Sequence, residues 1–222
     1  PHLDDDLDLH RRVQRQLRHP DRRAGVHPRV AEDVTEELRR PVDHTDAIDK
    51  LVDLTGATVR AVGSGFLRGL GGPLSDGEVI DAAGLRITVM ATPGHTADSL
   101  SFLVDDAVLT ADTVLGRGTT VIDSEDGSLR DYLESLRRLH GLGRRAVLPG
   151  HGPDLGDLEA VAAMYLAHRE ERLDQVREAL RVLGEDAAAR QVVEHVYTDV
   201  DEKLWDAAEK STEAQLTYLR AN

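Results

Sequence analysis

The 222-residue chain contains no cysteine, only 3% aromatic residues and no long apolar run. Without cysteine, neither a disulfide nor a thiolate metal site can form, so any bound metal would be held by histidine, aspartate or glutamate. Because aromatic side chains are scarce, aliphatic residues must fill the core, and the hydrophobic content of 40% can supply them. No stretch approaches the ~20 apolar residues of a membrane span, and the acidic first residues, PHLDDDLD, are unlike a signal peptide.

Positive charge is also in short supply, since the formal net charge is −14 at pH 7. This balance argues against a protein whose main partner is nucleic acid or an anionic membrane. Residues 157–222 carry eight basic and fifteen acidic side chains, which is a poor surface for binding phosphates. We therefore expect a soluble, cytoplasmic protein with no membrane partner and no stable DNA binding.

Residues 1–42 differ in composition from the rest of the chain. They contain nine arginines, nine acidic residues, no lysine, no isoleucine and no Phe, Tyr or Trp, so the whole net charge arises after residue 42. Weak i, i+4 spacing of apolar residues is present, but nothing there is typical of a buried strand. We predict marginal helix or disorder for this segment.

From Asp43 onward, the pattern predicts alternating strands and helices, typical of an α/β (α+β) layered domain. A first helix should end at Thr55, with Gly56 as its C-cap, and ATVRAV should form a strand. A helix is predicted in DYLESLRRLHGLG, with Tyr132, Leu136 and Leu139 facing inward, and a strand in RRAVLPGHG. Two hairpins are predicted before them, with turns at Ala83-Gly84 and Asp105-Asp106.

The segment from Asp157 to the C-terminus is predicted to be helical, with three helices closing a small unit. The first should end at Gly184. Its apolar stripe is predicted to comprise Leu173, Val176, Leu180 and Leu183. The core of the unit is predicted to comprise Val192, Val193, Val196, Leu204, Trp205, Leu216 and Leu219.

Three potential metal ligands each follow a predicted strand: His95 in ATPGHTADS, Asp112 in LTADTVLG and His151 in LPGHGP. Imidazole and carboxylate groups suit zinc, iron or manganese, and a carboxylate between two histidines is the natural bridge between two cations. Taken singly, each has an ordinary explanation, because a histidine in a Gly-Pro turn commonly makes surface hydrogen bonds and Asp112 can cap a turn. Their ordered occurrence at strand exits indicates a metal site.

These motifs, TPGHT, ADT and PGHGP in this order, resemble the metallo-β-lactamase fold of hydrolases. The segments TADTVLGRGTTVI, DYLESLRRL and LPGHGP…YLAHREERL are similar to the β-lactamase-like protein 2 subgroup, which includes an endoribonuclease. The resemblance implies an αββα sandwich in residues 43–156 and a winged-helix-like helical unit in residues 157–222. It leaves 1–42 as an atypical N-terminal segment, in which the family's early strands are not visible.

The resemblance also implies a ligand set, since the family holds two metals with a His-x-His-x-Asp-His motif and three later residues. Asp43 and His44 match the end of that motif, and Asp43 would also orient or deprotonate the attacking water. Three later ligands are implied at His95, Asp112 and His151. Arg39 and Pro41 stand where the first two histidines are expected. One site then keeps Asp43, His44, Asp112 and His151, and the other keeps His95 and Asp112. The implied cofactor is Zn²⁺, one or two ions, with iron or manganese as alternatives.

The implied activity is that of a metal-dependent hydrolase, in which a metal-bound hydroxide attacks an ester-type bond of a small-molecule or RNA substrate, a phosphodiester or a thioester. The alternative is a degenerate, non-catalytic or single-metal member of the fold, because Arg39 and Pro41 replace two histidines. A nucleic-acid-binding module built on the C-terminal helices is the weakest hypothesis, given the acidic balance. For residues 1–42, a shifted reading frame and true divergence both stay open. The histidines at 140, 168 and 195 are expected to be surface or packing residues.

Overall fold

The structure is a computed structural model of the chain, and it describes residues 45, 47–122, 126–197 and 205–221. The helices in these ranges are α1 (Ile48–Thr55), α2 (Leu129–His140), α3 (Leu158–Leu183), α4 (Ala189–Val196) and α5 (Trp205–Arg220). The strands are β1 (Val79–Ala82), β2 (Leu85–Ala91), β3 (Leu100–Val104), β4 (Ala107–Ala111) and β5 (Ala146–Pro149). None of the helices among the described residues is long and apolar enough to cross a membrane.

The chain divides into two compact units, Pro1–Val89 and Met90–Asn222, with the boundary inside β2. In the first unit, α1 ends at Thr55 and Gly56 follows in the left-handed conformation, as predicted. The strand predicted in ATVRAV is wrong, because Val59 makes only an isolated bridge with Arg68. The facing segment, GSGFLRGLGG, is rich in glycine, which disfavours a regular ladder.

The two predicted hairpins are both present. β1 and β2 are antiparallel, and the turn between them places Ala83 at φ 52° and Gly84 at φ 76°. Two consecutive positive φ values are typical of a type I′ turn, whose twist matches that of the strands. β3 and β4 pair antiparallel around Asp105, which also has a positive φ of 50°.

In the second unit, β3, β4 and β5 lie side by side, and β5 is parallel to β4. The central positions Val108 and Val147 face each other in the register of these two strands and are completely buried. The parallel pairing is possible because α2 forms the crossover between the two strands. The C-terminal ends of β4 and β5 therefore meet at one edge.

Helix α2 begins at the N-cap Ser128, whose hydroxyl accepts a hydrogen bond from the amide of Asp131. Its inward face carries Tyr132, Leu136 and Leu139, which were predicted to point inward and are all fully buried. Complete burial of each leucine side chain contributes roughly 1.5–3 kcal/mol. These residues pack in one core cluster with residues of β4, β5 and α3.

Helix α3 begins after the N-cap Asp157 and is followed by Gly184, as predicted. Most of its predicted apolar stripe is buried, but Leu183 is 40% exposed because it is the last residue of the helix. Residues of α3, α4 and α5 form a second cluster that contains Val192 and Leu216, which confirms this part of the predicted C-terminal core. Leu204 of that prediction lies outside the described residues. The α/β class is confirmed, since a mixed sheet is combined with helices.

Candidate metal centre

Three loops at strand ends carry the predicted ligands. His95 lies in the loop between β2 and β3, Asp112 directly follows β4, and His151 comes two residues after β5. Because β4 and β5 are parallel neighbours, the residues that follow them reach the same edge of the sheet. The amide of Gly116, in the loop after Asp112, donates to the carbonyl of His151 at 2.8 Å and ties the two loops together.

Asp112 lies between the two histidines. Its Oδ2 is 3.9 Å from Nε2 of His95, and its Oδ1 is 3.6 Å from Nε2 of His151. The side chain of Asp112 is 17% exposed, that of His95 is 29% exposed and that of His151 is 47% exposed. Each oxygen of the carboxylate thus faces a different imidazole, and His151 is the most exposed of the three side chains.

The tautomer of His95 follows from its hydrogen bond. Nδ1 lies 2.6 Å from the carbonyl oxygen of Val121. A carbonyl oxygen can only accept, so Nδ1 must carry the hydrogen and Nε2 of the neutral ring presents a lone pair. This nitrogen lies 3.9 Å from Oδ2 of Asp112. A cation bound by both atoms would be attracted to the charge of the carboxylate.

The backbone at the end of β4 turns Asp112 toward the histidines. Ala111 has φ of 43°, and the register with β5 shifts between Leu109 and Ala111. A non-glycine residue in this region is strained, and such strain is concentrated at functional sites. The strained turn is held by the amide of Gly150, which donates to the carbonyl of Ala111 at 2.9 Å. A Cβ at position 150 would approach Oδ1 of Asp112 to 2.9 Å, so only glycine fits without displacing the carboxylate.

Gly94 sets the approach of the His95 loop to α2. Its φ is 138°, and a Cβ built on it would lie 2.3 Å from Cα of Tyr132. Its carbonyl accepts a hydrogen bond of 3.0 Å from the amide of Ser128, the N-cap residue of α2. The loop therefore lies directly on the first turn of α2, and a side chain at this position would push it away.

A buried set of hydroxyl groups lies beneath the ligand loops. The hydroxyl of Thr113 donates to that of Thr92 at 3.1 Å, which lies 3.0 Å from the hydroxyl of Ser101. All three residues are fully buried. Thr92 and Thr113 lie within the quoted motifs ATPGHTADS and LTADTVLG, but this supporting role was not predicted. Hydroxyl residues beside candidate ligands are the signal that could have identified this support.

The structure brings together His95, Asp112 and His151, but it does not test their roles as ligands. Asp43 and His44, together with the positions 39 and 41, lie outside the described residues. Among the described residues, no three His, Asp or Glu side chains converge closely enough to hold one metal ion by themselves. The described contacts are instead two His–Asp pairs that share one carboxylate.

The histidines predicted to lie outside the site do so. Nδ1 of His140 lies 3.1 Å from the carbonyl of Glu159, and His195 is exposed on α4. Burial on α3 lowers the pKa of His168 below its usual value, and the nearby Arg169 and Arg172 lower it further. None of these three histidines is part of the His–Asp pairs.

The donor set fits a metal. Two ligands of one tetrahedral zinc ion, each about 2.1 Å from it, lie about 3.4 Å apart. The His151–Asp112 separation of 3.6 Å and the His95–Asp112 separation of 3.9 Å are close to this value. The second ring nitrogen of His95 is held by a backbone carbonyl, as is usual for metal-binding histidines. A mixed α/β protein that brings two histidines and one carboxylate together at its strand ends has the arrangement of a candidate metal centre.

Comparison with known families identifies the chain further. Residues 22–151 match the Metallo-beta-lactamase superfamily, and residues 188–222 match the Beta-lactamase associated winged helix domain. The chain belongs to the metallo-beta-lactamase superfamily, whose members bind metal ions. The superfamily match begins within the segment 1–42 that we set apart, and it ends at His151. The boundaries at residues 42 and 156 stay predictions.

Individual relatives agree with this assignment. A Beta-lactamase-like protein 2 homolog of Caenorhabditis elegans is 34% identical over 130 residues, which are 57% of this chain and 42% of that protein. An Atrochrysone carboxyl ACP thioesterase of Aspergillus fumigatus is 35% identical over 108 residues, which are 48% of this chain and 33% of that protein. The chain thus spans about a third to a half of the length of these curated relatives.

A solved structure is similar to most of the chain. The crystal structure of a metallo-beta-lactamase family protein from Thermus thermophilus superposes with a TM-score of 0.60 at 26% sequence identity. The similarity covers 84% of this chain and 62% of that one. This share is larger than the part of the chain in the superfamily match, residues 22–151.

Proposed function

We propose that this chain is a metal-dependent hydrolase that cleaves an ester-type bond, a thioester or an RNA phosphodiester. The observation that carries the proposal is the position of Asp112, whose two carboxylate oxygens face Nε2 of His95 and Nε2 of His151 at 3.9 and 3.6 Å. A carboxylate placed between two imidazoles is the arrangement that a bridging ligand requires.

Each residue has a defined part in this proposal. His95 would present Nε2 because the carbonyl of Val121 holds its other nitrogen. Asp112 would hold two ions through its separate oxygens, and His151, the most exposed of the three, would border the substrate side. Asp43 and His44 would complete the site on the side of His151, with Asp43 accepting the proton of the attacking water. When bound, the metal, zinc or alternatively iron or manganese, supplies Lewis-acid activation of water and of the scissile bond.

The two substrate classes rest on different similarities. The thioester is supported by the relative from Aspergillus fumigatus, which is described as an ACP thioesterase. The RNA phosphodiester is supported by the resemblance to the β-lactamase-like protein 2 subgroup, and relatives of that description match this chain. With a net charge of −14, the chain would hold RNA at the ligand loops rather than on a broad basic surface.

A degenerate form with one metal or none is the second candidate. It is favoured by Arg39 and Pro41, which occupy the positions where the resemblance places two histidine ligands. Two protein donors, His95 and Asp112, are too few for a tight zinc site. A fixed positive charge on Arg39 would further oppose a cation there.

Metal analysis of the purified full chain separates the two candidates. About two metal equivalents together with hydrolysis of a short RNA, an acyl-thioester or a lactam would support the hydrolase, and one equivalent or none without turnover would support the degenerate form. Asp112→Asn keeps the side-chain shape but removes the shared charge, so metal binding should weaken by more than about 100-fold, beyond the 10–100-fold typical of outer-shell changes. His195→Ala, exposed on α4, is the matched control. If Asp112→Asn bound as much metal as the wild type, the site would be wrongly assigned.

A further inference from the structure

We propose that Arg169 of α3 is a positioning residue for the metal-ligand set, acting through the loop that follows Asp112. The inference rests on the proposed function for its consequence, since positioning matters only if the set binds metal. Its structural basis is independent, because it concerns hydrogen bonds present in the chain itself. Arg169 touches neither substrate nor the reacting atoms in this proposal.

Arg169 is a buried cation that the metal site does not use directly. It is only 4% exposed, and its guanidinium carbon lies 5.1 Å from the centre of the Tyr132 ring. Its Nη2 donates a hydrogen bond to the carbonyl oxygen of Thr120, and in the described part of the chain its Nε has no hydrogen-bond partner. Burial of a guanidinium is unfavourable unless partners offset it. The ring and the Thr120 carbonyl are therefore the contacts that hold this charge in place.

The Thr120 carbonyl is adjacent to the one that fixes His95. Arg169 holds the carbonyl of Thr120, and the next carbonyl along the chain, that of Val121, accepts the hydrogen bond from Nδ1 of His95 at 2.6 Å. The hydroxyl of Thr120 donates to the carbonyl of Asp112 itself at 2.7 Å. One short stretch of backbone thus connects the buried guanidinium to two of the three described candidate ligands.

Other residues fix the earlier part of the same loop, so the effect of Arg169 is local. One turn before Arg169 on α3, the hydroxyl of Tyr165 accepts from the amide of Leu115 at 3.1 Å and lies 2.9 Å from the carbonyl of Gly118. The hydroxyl of Tyr132 donates to the carbonyl of Thr113 at 2.8 Å. Loss of Arg169 should therefore leave residues 113–118 anchored and release the backbone at 120–121, where His95 is held.

The test compares Arg169→Met with Arg169→Lys and with the matched control Arg145→Met. Arg145 also donates to backbone carbonyls, those of Asp105 and Leu142, but these lie in turns away from the ligand loops. The first readout is the ¹⁵N spectrum of the His95 imidazole in metal-free full-length protein. The second is the affinity for Zn²⁺, measured by competition with a chelating dye.

We expect Arg169→Met to mix the two His95 tautomers in the metal-free protein and to weaken Zn²⁺ binding by about 10–100-fold, the range typical of residues that orient a ligand. Arg169→Lys, which keeps one donor, should restore part of both signals, and Arg145→Met should change neither. If Arg169→Met showed the wild-type His95 spectrum and bound Zn²⁺ within twofold of the wild-type affinity, the proposal would be overturned. Where that variant does not fold, Arg169→Gln, whose amide is too short to reach Thr120, decides by the same two criteria.

Failure of the proposed function would be recognised separately. A wild-type chain that binds no Zn²⁺ would count against the hydrolase, while the His95 spectrum would still report whether Arg169 sets the tautomer. If Zn²⁺ binds and the spectrum does not respond to the loss of Arg169, the positioning role alone is wrong.

Discussion

Replacement of Gly94 by alanine should damage the candidate site, because the added methyl group has no room beside helix α2. Gly94 precedes His95 and has φ of 138°, outside the region that side-chain-bearing residues adopt. The added Cβ would lie 2.3 Å from Cα and 2.4 Å from the backbone nitrogen of Tyr132. These are backbone atoms of a buried helix, so no flexible side chain can move aside.

The magnitude follows from two contributions. Forcing a non-glycine residue into a sparsely populated backbone region costs about 1–3 kcal/mol. Overpacking against a rigid neighbour adds about 1–3 kcal/mol, because the contact must open by about 1 Å to reach an ordinary van der Waals distance. The sum is about 2–6 kcal/mol, a large share of the roughly 5–15 kcal/mol that stabilises a typical domain.

Gly118→Ala is the matched control for this prediction. Gly118 has φ of 76°, but a Cβ there meets nothing within 4 Å, so only the backbone term of about 1–2 kcal/mol should appear. Urea unfolding followed by circular dichroism should place Gly94→Ala about 1–3 kcal/mol below Gly118→Ala, the contribution of overpacking alone, with weaker Zn²⁺ binding in the Gly94 variant alone. Equal unfolding free energies for the two variants would refute the steric reasoning.

Two further predictions concern α3. Tyr165→Phe leaves a loop amide and a loop carbonyl without the hydroxyl partner they have now, so the free energy of unfolding in urea should fall by about 1–3 kcal/mol; an unchanged value would contradict this role of the hydroxyl. The pKa of His168 is lowered from 6.5 by burial and further by Arg169 and Arg172, so the unfolded state binds a proton first as the pH falls below 6.5. The free energy of unfolding should therefore decrease as the pH falls below 6.5, and the decrease should be smaller in His168→Gln. An NMR titration midpoint of His168 at or above 6.5 would exclude the effect.

The elements that could be predicted are those whose signals are local. The turns at Ala83-Gly84 and Asp105-Asp106 and the end of α1 before Gly56 depend on residues within a few positions, and all three are present. The inward face of α2 follows from its 3.6-residue period in the same way. The strand predicted in ATVRAV failed because a strand needs a partner, and its glycine-rich partner does not form a ladder.

In the candidate site too, the features set by neighbouring residues were predicted, and those set by contacts between distant residues were not. The loops of His95, Asp112 and His151 were predicted from their positions after predicted strands, and the structure brings these three side chains together. The supporting residues were not predicted, since Arg169 lies 49 residues from the carbonyl it holds and Tyr165 lies 50 residues from Leu115. No spacing rule connects positions so far apart in sequence. Only the packing of α3 against the ligand loops reveals their role.

The support around His95 bears on the choice between the two candidate functions. By the resemblance, His95 belongs to the site whose other histidines are replaced by Arg39 and Pro41, so in a degenerate protein this half would be without use. The chain nevertheless keeps there a buried guanidinium, a glycine at φ 138° and a fixed imidazole tautomer. Burial of the guanidinium is unfavourable for stability unless its partners offset it, and the backbone conformation at position 94 is one that glycine adopts without strain. The combination of these three features around one histidine therefore supports a His95 that still binds a metal ion. The proposed hydrolase then depends on whether a metal ion binds at His95.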